Sequence, residues 1–324
     1  MPTDTGFASD HTDLLDKLKI FALANGATSL RYDTSISGNE ELILQLPGSG
    51  SDEIIFGMRC YSFVAEDRYG WELQGMTGFN NTLSFHEMPG TIALSTNPPC
   101  LPLHKNTPSD SNTIKYWFVM NTRRIIIVAK IGSTYQSNYM GFILPYGIPT
   151  QWPYPLMVGG STNRVTNIFA PDFGIPLRFS DTTWQTAAYW YNRVDDNAIG
   201  TACLREPGGV YLRFRNQSQS SDGEHNSGWT GTWPYTERFN DFGGDAYQGF
   251  DNMRTTLDGS YTLQPIMYIN GSTDNVYGEL DGVKHVSGFG NAPENTITVG
   301  TDDWLVIPNI TRNGTGEISA VKLV

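Results

Sequence analysis

The chain has 324 residues and a formal net charge of −12, long enough to bury a core without covalent cross-links. Its acidity (pI near 4.8) argues against external binding to nucleic acid, which needs clustered Lys and Arg, though an acidic wall past which DNA slides stays compatible. Charged residues make up only 17% against 12% aromatic, below the usual charged share of about 25%, and this favours extensive subunit contacts.

In chain order, Asp10 to Gly26 (DHTDLLDKLKIFALANG) reads as a helix. Asp10 or Thr12 caps it, Leu14, Leu15, Leu18 and Phe21 recur at helical spacing, and Gly26 ends it. Ser29–Asp33, Glu40–Leu46, Ile54–Val64 and Trp71–Met76 follow as short strands, with Pro47 to Asp52 as a turn cluster. Asn80 to Pro108 is irregular, and long excursions of this kind usually carry contacts. Within it His86-Glu87 is the nearest approach to an acid–base pair, read as a surface loop.

The stretch Tyr116 to Ser161 organises the rest. YWFVM (Tyr116–Met120) and IIIVA (Ile125–Ala129) are almost continuously apolar rather than alternating, which predicts strands with protein on both faces. Asn121 to Arg124 is their hairpin connection. From Ile131 to Asn163 there is no charged residue, and Pro145, Pro149, Pro153 and Pro155 exclude a membrane-spanning helix. This segment reads as a neutral aromatic loop that needs a cover, supplied by the chain's own sheet or by a neighbouring subunit. In the second case Tyr135, Tyr139, Phe142, Trp152 and Tyr154 are the candidate interface residues, since aromatic side chains dominate desolvated contacts.

Val165–Ala170, Thr182–Tyr191 and Gly209–Arg215 read as further strands. Asn216 to Gly249 reads as an exposed loop whose Trp229, Trp233 and Tyr235 are candidates for surface binding, either stacking on sugar rings or anchoring a partner. Thr262–Ile269 contains Pro265, which predicts an edge strand. The last fifty residues form a compact β unit with a hairpin bending at Gly300 to Asp302. The expected organisation is an N-terminal helical segment (residues 1–28), a main β domain with long aromatic loops (29–270) and a small C-terminal β unit (271–324). The fold class is mainly β, with a β-sandwich or barrel-like core and one N-terminal helix.

Chemistry-bearing patterns are sparse. Cys60, Cys100 and Cys203 are odd in number and far apart, which predicts free thiols rather than disulfides or a zinc site. The five histidines form no metal-binding spacing, so no metal and no cofactor is expected. The N-terminus has no basic and apolar leader pattern, so the chain is expected to stay inside the cell that makes it until lysis, and the Asn-x-Ser/Thr triplets then mark turns only. The acid pairs Asp195-Asp196, Asp222 with Glu224, and Asp302-Asp303 lie too close in sequence to oppose each other across a glycosidase cleft.

Three phrases carry a resemblance: RYGWELQGMTGF, the Tyr116 to Ser161 segment, and YGELDGVKHVSGFGNAPENTITVGTDDWLVIPNI. In order along most of the chain they resemble virion structural proteins of contractile-tailed bacteriophages and prophages. The resemblance implies a virion component without enzymatic activity, assembled in the host cytoplasm. It implies a neck or collar protein that forms a homo-oligomeric ring near the head–tail junction, touching other neck or tail proteins, with DNA at most as passing cargo and no membrane partner. A tail-tip or baseplate protein, or a glycan-binding receptor protein, is the alternative. The loop at residues 216–249 falls outside the resemblance.

Overall fold

The computed structural model describes residues 1–35, 39–50, 52–63, 68–93, 99–103, 113–147, 150–160, 202–214, 230–233, 261–270, 275–288, 290–308 and 318–323. The expected strands at Val165–Ala170 and Thr182–Tyr191 lie outside them. The architecture is mainly β and sandwich-like: three antiparallel sheets with one helix near the N-terminus.

The helix, α1 (His11–Ala24), begins where the sequence places it. The Asp10 carboxylate accepts the backbone N–H groups of Thr12 and Asp13 at 3.0 and 2.8 Å, satisfying donors that have no partner inside a first turn. At the other end Gly26 takes a φ of +93° and the Ala27 N–H returns to the Ala22 carbonyl at 3.0 Å, the left-handed stop that glycine permits. Ahead of the helix lies β1 (Thr3–Ala8), a strand that its short, Gly-containing sequence does not announce.

The N-terminal sheet runs β2 (Thr28–Asp33), β3 (Glu41–Leu46), β4 (Ile54–Phe63), β5 (Arg68–Met76) and β6 (Cys100–Pro102), each beside the next. The central sheet follows the order β1, β7 (Ile114–Met120), β8 (Arg124–Ile131), β9 (Thr134–Phe142), β11 (Leu156–Gly159), β12 (Ala202–Arg205) and β13 (Tyr211–Phe214). Between β9 and β11 the chain steps out to form β10 (Leu144–Pro145), which joins the third sheet. That C-terminal sheet contains β14 (Thr230–Trp233), β15 (Gln264–Asn270), β16 (Asn275–His285), β17 (Thr296–Val299), β18 (Asp302–Pro308) and β19 (Ile318–Lys322), ordered 14, 15, 16, 19, 18, 17.

The layers stack with the central sheet in the middle. Ile114, Tyr116, Phe118, Ile125 and Ile127 point to one side, where they join α1 and the inner face of the N-terminal sheet in one cluster. Val119, Ile126 and Val128 point to the other, where they meet Ile266, Tyr268, Leu280, Leu305 and Ile307 of the C-terminal sheet. Double-sided burial is what the unbroken apolar runs predict.

Three expectations change. The segment from Ile131 onward is largely regular, with β9 and β11 paired inside the central sheet, so the sheet itself supplies its cover. Pro265 is not in an edge strand, because β15 lies between β14 and β16. The proline is tolerated because β14 reaches only Met267 to Asn270, and the register with β16 is irregular between Pro265 and Met267. The lines drawn at 28/29 and 270/271 are crossed by hydrogen-bonded pairs: β1 with β7, and β15 with β16.

Two polar fasteners tie the C-terminal sheet to the central one. Arg124, fully buried, holds Asp281 through its Nε at 3.3 Å, and Asn121 donates to the same carboxylate at 2.6 Å. Gly282 has a φ of +70°, and a Cβ there would lie 2.0 Å from Arg124 Nη2. Glu294 is the one non-glycine residue with positive φ (68°) among the described residues, a conformation that costs about 1–2 kcal/mol. Its carboxylate takes Lys115 Nζ at 2.6 Å, the Tyr135 hydroxyl at 2.7 Å, and Lys130 Nζ. Burial alone would raise the Glu294 pKa, but these three donors hold it down to about 2 against an ordinary 4.5.

A carboxylate depressed in the folded state stabilises above its unfolded pKa, and the effect fades as pH falls through the folded one. Glu294→Gln is therefore expected to cost about 1–2 kcal/mol at pH 7, discounting for partial exposure. In thermal melts the gap from wild type should narrow below pH 4.5 and close near pH 2; a gap that persists there contradicts the clamp.

Candidate functional site

The five candidate interface aromatics lie inside the chain. Tyr135, Tyr139, Phe142 and Trp152 are 6%, 0%, 1% and 5% exposed, and Tyr154 is half-buried against the core that holds Phe142. Their polar tips are satisfied internally. Tyr139 donates to the Phe142 carbonyl at 2.7 Å, Trp152 Nε1 to the Arg205 carbonyl at 2.8 Å, and Tyr154 to the Met76 carbonyl at 2.8 Å. As core residues they are not available for a subunit contact. Trp229 and Tyr235 lie outside the described residues, whereas Trp233 belongs to β14, a strand within the expected exposed loop. Of the acid pairs, Asp302 bonds Lys322 at 2.6 Å and Asp303 accepts from Thr298 at 2.7 Å; the others lie outside the described residues.

What stays exposed from the neutral segment is its outer turn. Leu144 and Tyr146 are 38% and 53% exposed. Tyr146 is seated by its N–H on the Tyr277 carbonyl at 3.0 Å, next to Val276, which is 42% exposed. The Tyr277 hydroxyl reaches Glu206, whose N–H bonds the carbonyl of exposed Val210 at 2.8 Å. β10, the start of β16 and the β12–β13 turn thus meet here, with Leu144 and Tyr146 on the face of β16 that carries Glu279, and Val276 on the opposite one.

The richest polar constellation lies elsewhere, on the outer face of the N-terminal sheet. Glu41 pairs in register with Arg59, Arg59 with Glu72, and Glu72 with Cys100, so one row across four strands carries acid, base, acid and thiol. Arg31 on β2 extends it, 3.5 Å from Glu41, and Arg59 Nε is 3.5 Å from the same carboxylate. Residues 77–92 cross over this row. A short 3-10 turn at Phe85–Glu87 lays Phe85 against Gly57, where a Cβ would come within 2.7 Å of the ring. The turn directs His86 inward, with Nδ1 3.3 Å from Glu72 Oε1 and Nε2 3.3 Å from Arg59 Nη1. Glu87 instead faces solvent and takes the Ser84 hydroxyl at 2.7 Å. The sequence neighbour of His86 is therefore a cap, and its chemical partner is Glu72.

Glu72 is completely buried. Desolvation raises its pKa to about 8, outweighing the Gln74 hydrogen bond and the charge of Arg59. Burial lowers His86, helped by Arg59. At neutral pH this is a protonated acid beside a neutral imidazole, an arrangement that stores a proton, but no substrate reaches Glu72 while residues 77–92 lie over it. Cys60, Cys100 and Cys203 are buried and form no disulfide. Among the described residues no set of three His, Cys, Asp or Glu side chains converges as a metal site, and no helix is long and apolar enough to cross a membrane. Sequence reasoning passed over Glu72, Arg59 and Glu41, although each is a charge embedded in an otherwise apolar strand.

Compared with protein-family models and with curated proteins, the chain matches none.

Because Phe142 lies in the core, Phe142→Ala is expected to cost about 3–5 kcal/mol in denaturant unfolding, with no change in subunit stoichiometry under native conditions. A loss of assembly without loss of stability would return this residue to an interface.

Proposed function

We propose that this chain is an architectural component of a tailed-phage virion: a neck or collar subunit that closes into a ring at or near the head–tail junction. The observation that carries the reading is the exposed remainder of the neutral segment. Leu144 and Tyr146 present apolar side chains on a chain poor in charge, and a head-to-tail contact through them makes a ring when the rotation between copies closes. The sequence resemblance supports the same assignment. Contact between copies thus moves from Tyr135, Tyr139 and Phe142 to this outer turn. The acidic balance suits a channel wall that lets DNA pass without holding it, and other neck or tail proteins are the remaining partners. In this role the chain works by shape and assembly, without catalysis. A tail-tip or baseplate position would use the same self-contact with different neighbours.

Sedimentation velocity of the purified chain is expected to show a discrete closed oligomer. The double substitution Leu144→Asp with Tyr146→Asp should convert it to a monomer whose circular dichroism spectrum is that of the folded wild type. A wild-type chain that stays monomeric at high concentration overturns the ring. Electron microscopy of particles carrying a labelled chain distinguishes neck from baseplate.

A further inference from the structure

Residues 77–92 are fastened to the N-terminal sheet at three points, two of them in the charged row beneath and the third at Gln74, two residues along the strand from Glu72. At the leading end Arg31 Nη2 donates to the carbonyls of Asn81 and Leu83 at 3.2 and 2.8 Å while its Nη1 faces Glu41. In the middle His86 sits between Arg59 and Glu72. At the trailing end the Gln74 amide is matched to the backbone of Ile92, accepting its N–H at 3.0 Å and donating to its carbonyl at 3.2 Å, with Nε2 also 3.5 Å from Glu72 Oε1. Below lie Ile43, Ile55 and Met76, sealed by Phe85 and Met88 from the covering segment. Glu72 Oε2 is buried without a hydrogen-bond partner.

We propose that residues 77–92 form a proton-controlled strap, closed while the Glu72 carboxyl is protonated and the His86 ring is neutral, and loosened when either group changes its charge. Two opposite steps bound the closed state. Ionising Glu72 places a charge in a dry site where one oxygen has no donor, a cost that opening to water removes. Protonating His86 takes away the lone pair that accepts from Arg59 Nη1 and sets two cations 3.3 Å apart. The groups facing this centre are Gln74 on the same strand, Arg59 on β4, Glu41 on β3, Arg31 on β2, Cys100 opposite on β6, and His86 from the strap, with Glu87 outside. Of these, Arg31 and Arg59 set two positive charges against the one carboxylate of Glu41, and Glu72 and His86 are the two groups the strap itself brings together. Glu72, raised in the folded state, favours closure at low pH and loses that effect as pH rises through about 8; His86, lowered, favours closure at high pH and loses it as pH falls. Loosening exposes the apolar patch around Ile43 and Ile55, a surface separate from the outer turn at Leu144, so the strap stands independently of the ring.

Hydrogen exchange of the full-length chain from pH 5 to 9.5, with intrinsic rates normalised and β8 as internal reference, tests this. With the open strap titrating at the ordinary 4.5 and 6.5, protection of residues 77–92 should fall by up to tenfold per pH unit between about 6.5 and 8, while below 6.5 the opposing His86 linkage offsets that of Glu72. Glu72→Gln should abolish this alkaline fall and uncover a rise of protection with pH up to 6.5, and His86→Gln should keep the fall and extend it below 6.5. Unchanged β8 protection verifies that each variant is folded, and either variant alone decides its own linkage. A flat wild-type profile, or an alkaline fall that survives in Glu72→Gln, overturns the strap.

Discussion

The structure depends on one sheet being dry on both faces. Strands β7 and β8 place successive side chains alternately into two separate cores, so YWFVM and IIIVA are apolar at every position rather than every second one. At about 1.5–3 kcal/mol for each large apolar side chain removed from water, neither outer layer can leave without exposing a face that water will not tolerate. The two outer sheets are thus obligatory covers. The polar contacts between layers act as positional pins: Arg124 on Asp281, and Glu294 between two lysines and a tyrosine. Glu294 accepts an unfavourable backbone conformation because three donors converge on its carboxylate.

Much of this was legible in the sequence wherever hydrophobic periodicity and local capping chemistry agreed. Helix α1 was, because Asp10, the leucines and Gly26 all specify the same limits. The double cover of β7 and β8 was too, since no half-exposed strand has such a pattern. Strand β9 was not, because Gln136, Ser137 and Asn138 are polar yet 3%, 1% and 0% exposed, and buried polar residues carry no periodic signal. Segment 131–161 therefore looked like a loop, and its aromatics looked like contacts in search of a partner. Absence of charge correctly marked a covered segment and could not tell which molecule covers it. Pro265 misled in a similar way, since the rule that sends proline to an edge concerns the local ladder, and here the ladder stops short of it.

Recovering the polar site from sequence requires strand register. His86 and Glu87 are neighbours in the chain and face opposite ways, whereas His86 and Glu72 are separated by a strand end and a turn. The row Glu41, Arg59, Glu72 becomes visible only once β3, β4 and β5 are aligned, because opposite residues in antiparallel strands share a face. Each member taken alone reads as one more charge on a solvated surface. What distinguishes them is that the excursion folds back and removes the water, which turns an ordinary glutamate into an acid that holds its proton at neutral pH.

The covers on the two outer sheets consequently differ in kind. The C-terminal sheet is pinned by Glu294, whose carboxyl three donors hold down to about 2, and by Arg124, a guanidinium that does not titrate in proteins, so these two groups keep their charges across the neutral range. The strap over the N-terminal sheet is fastened through Glu72, whose carboxyl burial pushes up to about 8, and His86, whose ring burial pushes down. Opening it from Asn81 to Met88 disturbs only the small outer cluster of Ile43, Ile55, Met76, Phe85 and Met88 and leaves closed the core between the N-terminal and central sheets, which Ile92 at the trailing end joins. Rearrangement on that side is thermodynamically separable from unfolding, because the layer that could yield is not the one that seals the central sheet.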